Sequence, residues 1–100
     1  MFVFEDLKKI PDKDFQKVLR EVSTETLAMA LKGADSIMVD KVLNNMSSRA
    51  SEIFKEDMES LGPVRIAEVE TAQREILTTT KKLADDDKIV LDDDDADMVG

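Results

Sequence analysis

Signals that begin or end a helix recur about every dozen residues along this chain, and they limit it to short helices with short connections. Pro11 ends a first short helix, because a residue that precedes proline is pushed out of the helical region. Each of the next four segments opens with a residue type that caps helix N-termini, namely Asp12, Ser23, Asp35 and Ser47. Gly33 is expected in a left-handed C-terminal position, and Gly62 with Pro63 stops the fifth helix.

Apolar residues within these segments recur three, four and seven positions apart, which is the spacing of one helix face. The residues expected to face inward are Phe15, Val18, Leu19 and Val22 in the second helix, Leu27, Ala30 and Leu31 in the third, Val39, Val42, Leu43 and Met46 in the fourth, Ala50, Ile53, Phe54, Met58 and Leu61 in the fifth, and Val69, Ala72, Ile76, Leu77 and Leu83 in a sixth that runs from about Ala67 to Ala84. Short connections keep sequential helices adjacent. We therefore expect an all-α fold, a compact bundle of about six short helices with an armadillo-like rhythm. Two extended segments, residues 64–66 and 89–91, are long enough only for marginal pairing.

The composition also favours packed helices. The apolar share is 42%, but the aromatic share is only 4%, so the core is built mainly from aliphatic residues and methionine. One hundred residues are enough for one domain with a single modest core. No apolar run approaches the roughly 20 residues that span a bilayer, and the N-terminus lacks a secretory pattern. The absence of cysteine is explained most simply by a reducing compartment.

The acidity of the chain is concentrated at its C-terminal end. The formal net charge is −9, but residues 1–84 contain 15 acids and 13 bases, whereas residues 85–100 contain 8 acids and 1 base. A block of like charge repels itself and remains solvated, which predicts a flexible acidic tail over residues 92–100. Such a tail argues against nucleic acid or anionic lipid as its partner. It also lacks the glycine and the final Glu of an EF-hand loop.

The residue types that most catalytic sites need are absent. The chain has no His, Cys or Tyr, which removes the commonest general base, the best thiol nucleophile and most metal ligands. Neighbouring carboxylates such as Glu56 and Asp57 point about 100° apart on a helix, so they cannot flank one bond. No glycine-rich phosphate loop is present. We therefore expect no enzyme activity, no cofactor and no metal.

The fifth predicted helix carries a row of charges on its outer face. With a rotation of about 100° per residue, Glu56 lies about 20° from Arg49, and Glu52 extends the same side. Asp57 lies at the border with the apolar side, about 80° from Arg49 in the other direction. This pattern indicates a charged surface displayed to another protein.

The same charges also allow a purely local interpretation. The outer face of the fifth helix can carry weak ion pairs such as Arg49–Glu52, each of which contributes a few tenths of a kcal/mol. Asp57 can be held by Arg65 or Lys32, in which case it orients loops without meeting a partner.

Seven segments together carry a more specific signal. They are residues 1–7 (MFVFEDL), 18–22 (VLREV), 27–34 (LAMALKGA), 45–50 (NMSSRA), 55–59 (KEDME), 62–65 (GPVR) and 69–73 (VETAQ). These segments resemble the C-terminal domain family of the flagellar motor switch protein FliG. The resemblance covers residues 1 to about 91, and only the acidic tail departs from it.

The resemblance implies a role in the bacterial flagellar motor. In that family the C-terminal domain lies at the rotor rim and meets the cytoplasmic loop of the stator protein MotA through charges on both sides. Carried over position by position, the rotor charges implied for this chain are Lys32, Arg49, Glu56, Asp57 and Arg65. Their signs agree at all five positions, and Glu56 stands where Asp is common. The implied setting is a ring of FliG copies with FliM, at the cytoplasmic face of the inner membrane in the flagellar basal body.

The first residues of the chain are similar to the hinge motif of that family, which here consists of Met1, Phe2, Val3 and Phe4. Rotation about such a hinge would re-aim the charged surface and switch the direction of rotation. The alternative is an apolar lead-in that packs on the first helix. We expect a hinge-like lead-in over residues 1–6, a six-helix domain over 7–91 and the tail over 92–100. The family's N-terminal and middle regions are missing, so the chain is expected to be a fragment.

Two other functions remain open from the sequence. One is a helical adaptor whose partner docks in an apolar groove near Phe2, Phe4 and Leu7, and exposed Phe and Met side chains would favour it. The other is a small regulatory or toxin-like enzyme, which would need buried, convergent carboxylates.

Overall fold

The computed structural model describes residues 3–90, and these residues form one 3-10 helix and five α-helices. They are the 3-10 helix Phe4–Lys9, α1 (Asp12–Glu21), α2 (Thr24–Leu31), α3 (Ser36–Asn44), α4 (Ser48–Leu61) and α5 (Ile66–Asp85). The predicted all-α bundle of about six short helices is confirmed. No strand occurs between residues 3 and 90; residues 64 and 65 lead directly into α5, which begins at Ile66. Met1, Phe2 and the predicted tail, residues 92–100, lie outside the described residues.

Three of the predicted helix starts are confirmed by their capping bonds. The Ser23 hydroxyl accepts the Thr26 N–H at 3.2 Å. The Ser47 hydroxyl accepts the Ala50 N–H at 3.2 Å. Asp35 accepts its capping bond at 2.9 Å from the third residue of α3. Each bond satisfies a backbone donor that the first helical turn leaves unpaired, so these starts follow from local chemistry.

Asp35 also joins α3 to the 3-10 helix. Its second carboxylate oxygen accepts a hydrogen bond from Lys8, which pairs with Glu5 at 3.0 Å as well. The bond from Lys8, followed by the backbone bond from Met38, holds the pKa of Asp35 below its ordinary value of 3.8. The same pairing raises the pKa of Lys8 above its ordinary value of 10.5.

The predicted cap at Asp12 is wrong. Pro11 occupies the N-cap position of α1 with an extended backbone, and its carbonyl accepts the Phe15 N–H at 2.9 Å. Proline supplies the required extended conformation without a side-chain cap, so Asp12 becomes the first helical residue. Its carboxylate lies 3.5 Å from the Nζ of Lys41, and Lys41 also donates to the carbonyl of Ile10. Asp12 therefore helps to hold α3 against the start of α1.

The prediction of a left-handed Gly33 is also wrong. Among residues 3–90, positive φ occurs at Gly62 and Asp87, and α2 instead ends through tight backbone bonds such as Gly33 N–H to the Ala30 carbonyl at 3.3 Å. The reason for glycine here is close packing. A Cβ at position 33 would lie 2.6 Å from Cγ1 of Val69 on α5, so only a residue without a side chain fits.

The helix α2 lies at the centre of the bundle. It packs against both α4 and α5, and its buried residues are Leu27, Ala28, Ala30 and Leu31. Gln73 of α5 donates to the Ala30 carbonyl at 3.0 Å, which ties the two helices further. The 3-10 helix packs against α3 and α5 and buries Phe4 and Leu7 in the same core. None of the helices within residues 3–90 has the length and apolar content to cross a membrane.

The end of α5 is closed by a turn that returns the chain to the core. Asp87 has a φ of 61°, its N–H donates to the Ala84 carbonyl at 3.0 Å, and the Lys88 N–H donates to the Leu83 carbonyl at 2.9 Å. This is the hydrogen-bond pattern of a Schellman motif. The turn directs Ile89 inward, where only 4% of it is exposed.

Candidate functional site

The helix α4 carries three of the five predicted site residues, and its ends are sharply defined. It begins at the Ser47 cap and ends at Gly62, whose φ of 59° is open to glycine but strained for other residues. The predicted stop at Gly62 and Pro63 is therefore confirmed. Phe54 is the fully buried residue of α4, at 1% exposure, so it fixes which side of the helix faces the core.

The position of Phe54 orients the charges of α4. At about 100° per residue, Arg49 and Glu56 lie about 140° and 160° from Phe54, which places them on the face opposite the core. Asp57 lies only about 60° from Phe54, on the edge of the helix. All three side chains are exposed. Arg49 and Glu56 therefore face away from the core, Asp57 lies at the predicted border with the apolar side, and the contact of all three with a partner stays a prediction.

The local interpretation of these charges finds no support in the ion pairs. The salt bridges within residues 3–90 lie on the 3-10 helix, at Asp35 and between Asp12 and Lys41. Within this range Arg49 forms no salt bridge with Glu52, and Asp57 forms none with Arg65 or Lys32. The charges of α4 are therefore not neutralised by neighbours in the described part of the chain.

The other two predicted residues lie at helix ends, one on α2 and one on α5. Lys32 is the C-cap of α2 and Arg65 is the N-cap of α5, and both are exposed. The contact of Gly33 with Val69 places Lys32 beside the first turns of α5. Arg65 lies about 6 Å along the helix axis from Val69. Arg49, by contrast, lies in the first turn of α4, so the five charges do not form one helix face.

Sequence reasoning misplaced Ile53 and Ala50, which were expected to face inward. Both are exposed, and Ile53 is 49% exposed. The reason is that α4 lies on the outside of the bundle and rests on Phe54, so its wider apolar seam is only partly covered. Ile53 lies about 40° from both Arg49 and Asp57. Its spacing of four residues from each of them is the signal that would have placed it within the charged surface.

The predicted hinge is described only in part. Val3 is 45% exposed, and its N–H donates to Asp6 at 2.9 Å. That backbone bond is the main reason that the pKa of Asp6 lies below its ordinary value of 3.8. Phe4 is buried at 7% exposure, so it belongs to the core. Movement at this segment stays a prediction.

The described residues also bear on the two alternative functions. A groove near Phe4 and Leu7 would need these side chains at the surface, but both are buried. A catalytic site would need buried, convergent carboxylates. Within residues 3–90 the buried polar side chain is Thr80, whose hydroxyl donates to the Ile76 carbonyl at 2.8 Å. Neither alternative gains support from this geometry.

Comparison with known proteins links this architecture to one family. The FliG C-terminal domain model matches residues 1–91. The flagellar motor switch protein FliG of Pseudomonas aeruginosa is 50% identical over 83 residues, which are 83% of this chain and 25% of that protein. FliG of Thermotoga maritima is 48% identical over 83 residues, again 83% of this chain and 25% of that protein. The chain thus spans about a quarter of the length of the curated relatives that it matches.

Solved structures give the same result. Full-length FliG from Aquifex aeolicus matches with a TM-score of 0.83 and 46% identity, over 85% of this chain and 26% of that one. A Helicobacter pylori FliG structure (residues 116–343 of that protein) matches with a TM-score of 0.89 and 40% identity, over 91% of this chain and 40% of that one. Sequence and architecture agree, and this chain therefore belongs to the FliG C-terminal domain family.

Proposed function

We propose that this domain is a rotor component of the flagellar motor switch, with a mechanical rather than catalytic role. In this proposal the charged ridge, defined as Lys32, Arg49, Glu56, Asp57 and Arg65, engages the cytoplasmic loop of the stator protein MotA and transmits torque. Family membership supports the motor assignment. The observation that carries the ridge is that all five side chains are exposed and lie outside the salt bridges within residues 3–90.

The physical properties of exposed charges suit a contact that must form and break repeatedly. An exposed ion pair contributes only about 0–1 kcal/mol, so several pairs can hold a partner briefly and still release it. Charges also guide approach over a Debye length of about 8 Å at physiological salt. A large apolar interface would release its partner too slowly for stepping.

Ile53 adds a short-range component to this surface. It lies between Arg49 and Asp57, and about half of it is exposed. A partner loop that approaches these two charges would cover Ile53 as well, and burial of apolar surface contributes about 25 cal/mol per Å². In this arrangement charge guides the encounter, and Ile53 contributes only after close contact.

We further propose that the lead-in residues Met1, Phe2, Val3 and Phe4 act as the hinge that changes the direction of rotation. Phe4 is anchored in the core while Val3 is partly exposed, so a rotation before Phe4 would move the whole domain. The ridge would then meet the stator at a different angle. Neighbouring FliG copies and FliM are the further partners, and the setting is a ring at the cytoplasmic face of the inner membrane.

The ridge is tested by charge reversal in a motile strain whose FliG carries this sequence. Arg49→Glu or Asp57→Lys alone turns one exposed pair worth about 0–1 kcal/mol into a repulsion, and the other ridge charges still hold the stator loop, so cells should still rotate. The double variant replaces two attractions with repulsions, so tethered cells should stall. Reversal of the opposing charges on the stator loop should restore rotation.

A matched control keeps the same change of charge but moves it away from the ridge. Lys81→Glu with Asp85→Lys alters two exposed residues of α5, and these cells should rotate normally. Normal torque in the Arg49 and Asp57 double variant would contradict the proposal. So would a stall in the α5 control, because charge position would then not matter.

A further inference from the structure

The end of α3 is tied to α1 by one side-chain amide. Asn45 is the C-cap of α3, and its Oδ1 accepts a hydrogen bond from Gln16 Nε2 at 3.0 Å. Its Nδ2 donates to Asp12 Oδ1 at 3.3 Å and to the Lys41 carbonyl at 2.7 Å. Because acceptors surround the Nδ2 and a donor meets the Oδ1, the amide of Asn45 is held in this one orientation.

Lys41 strengthens this contact from the previous turn of α3. Its Nζ donates to the Ile10 carbonyl and lies 3.5 Å from Asp12 Oδ1, the same oxygen that accepts the bond from Asn45. The centre of the Phe15 ring lies 5.3 Å from the same Nζ, within the range of a cation–π contact. We call the four polar side chains of this contact the α1–α3 clasp: Asp12, Gln16, Lys41 and Asn45.

The clasp lies next to the helix that carries most of the charged ridge. Only Met46 and Ser47 separate Asn45 from the first residue of α4. Met46 is partly buried against the core, and Ser47 is the N-cap of α4. Arg49 follows in the first helical turn, four residues after Asn45. A movement of the end of α3 therefore passes directly to the start of α4.

The packing of α4 leaves its first turn dependent on this connection. The main neighbour of α4 is α2, and the fully buried residue of α4 is Phe54. Phe54 lies about 9 Å along the helix axis from Ser48. Ser48, Arg49 and Ala50 are all exposed, so the first turn itself has little packing. The helix can therefore tilt about Phe54 unless its start is held through the clasp.

We propose that Asn45 is a positioning residue for the charged ridge: it holds the end of α3 against α1 and thereby fixes the direction of α4. The inference rests on the proposed function only for the role of the ridge, since the direction of α4 can be measured without the motor. When water replaces the direct bonds of Asn45, the contact opens by about 2 Å. A shift of this size at Ser48, with Phe54 as the pivot, tilts α4 by about 10–15°.

The test compares Asn45→Asp with Asn44→Asp in the full chain. Aspartate has the shape of asparagine but no NH₂ donor, so Asn45→Asp loses both donated bonds and sets a carboxylate against that of Asp12. Asn44 is exposed, and its side chain forms no hydrogen bond within residues 3–90. Its replacement makes the same change of charge at the same helix end, with the same effect on the helix dipole. Residual dipolar couplings of the backbone amides, measured by NMR, give the direction of α4 relative to α2 and α5.

We expect α4 to tilt by about 10–15° in Asn45→Asp and to keep its direction in Asn44→Asp. Adding Asp12→Asn to Asn45→Asp exchanges the carboxylate and the amide, which restores one bond and the parent net charge. This double variant should bring α4 most of the way back. If Asn45→Asp does not fold, Gln16→Ala on the surface of α1 removes a single bond and should give a smaller tilt in the same direction.

An unchanged direction of α4 in Asn45→Asp would overturn the proposal, and so would an equal tilt in Asn44→Asp. A tilt that Asp12→Asn does not reduce would also overturn it, because α1 would then not be the element that Asn45 holds. None of these results affects the ridge itself.

The motor gives a separate readout. Tethered cells with Asn45→Asp should lose torque although all five ridge charges are unchanged, and cells with Asn44→Asp should not. A tilt of α4 with normal torque would support the positioning role of Asn45 and count instead against the proposed function of the ridge.

Discussion

Among single residues, Gly33 shows how one missing atom controls helix packing. Alanine at this position would place its Cβ 2.6 Å from Val69 Cγ1, and a β-branched side chain has little freedom to move away. We expect Gly33→Ala to lower the free energy of unfolding by about 1–3 kcal/mol, the usual cost of overpacking. Urea unfolding monitored by circular dichroism measures this loss.

Val69→Ala supplies the control for that prediction, because it removes the methyl group in the way. In the Val69→Ala background, Gly33→Ala should cost little or become slightly stabilising, as expected where alanine fits. An equal loss in both backgrounds would show that the clash with Val69 is not the cause.

Asp35 makes the fold sensitive to acid. Its folded-state pKa lies below 3.8, so as the pH falls the unfolded chain binds the proton first. The contribution of Asp35 is therefore full above pH 3.8 and is lost as the pH falls through the folded value. Asp35→Asn keeps a good N-cap but loses the charged pair with Lys8. Its free energy of unfolding should decline less steeply below pH 3.8 than that of the parent.

A second variant separates the two causes of that shift. Lys8→Gln removes the larger one, the bond from Lys8, and leaves the Met38 N–H bond in place. The acid-dependent loss should then lie between that of the parent and that of Asp35→Asn. Identical slopes for all three proteins between neutral pH and the acid transition would exclude Asp35 as a source of acid sensitivity.

At the scale of elements, α4 depends on one anchor. Phe54→Ala should lower the free energy of unfolding by about 3–5 kcal/mol, because it empties a fully buried site. Ile53→Ala removes a half-exposed side chain from the same helix and should cost less than about 1 kcal/mol. Urea unfolding of the two variants measures the difference. Similar losses would mean that Ile53 is packed in solution.

The elements also show what local sequence can and cannot specify. The caps at Ser23, Asp35 and Ser47 were predictable because each bond joins residues three apart. The roles of Gly33 and Ile53 were not, since they depend on where other helices lie. Gly33 is required by a contact with a residue 36 positions later, and Ile53 is exposed because no other helix within residues 3–90 covers that side of α4.

At the scale of the whole molecule, some features of the candidate site follow from local sequence, and others depend on contacts between helices. The outward direction of Arg49 and Glu56 follows from helical periodicity and the single anchor Phe54. The position of Lys32 beside the first turns of α5 arises from the packing of α2 against α5, which no spacing in the sequence reveals. Lys32 and Arg65 were predicted as site residues only from the resemblance to the family. Residue patterns alone gave no reason to place them in the same site as the charges of α4.

The hinge is a property of the domain as a unit, and Val3 allows a test. Val3 has a φ of −119° and donates its N–H to Asp6, whereas proline fixes φ near about −65° and has no N–H. We expect Val3→Pro to shift the ratio of clockwise to counterclockwise rotation in tethered cells while torque is retained. Asp6→Ala removes only the hydrogen bond and should change this ratio less. An unchanged ratio in Val3→Pro would count against a hinge at this point.

The buried Ile89 extends the cooperative unit past the last helix. A protease cut or a stop codon placed directly after Asp85 would remove the buried side chain of Ile89 from the core, together with the turn that positions it. A fluorescent protein or an affinity tag should therefore be fused after Ile89, and a shortened version of this domain should retain Ile89. Chain boundaries chosen from helix ends alone would yield a destabilised product.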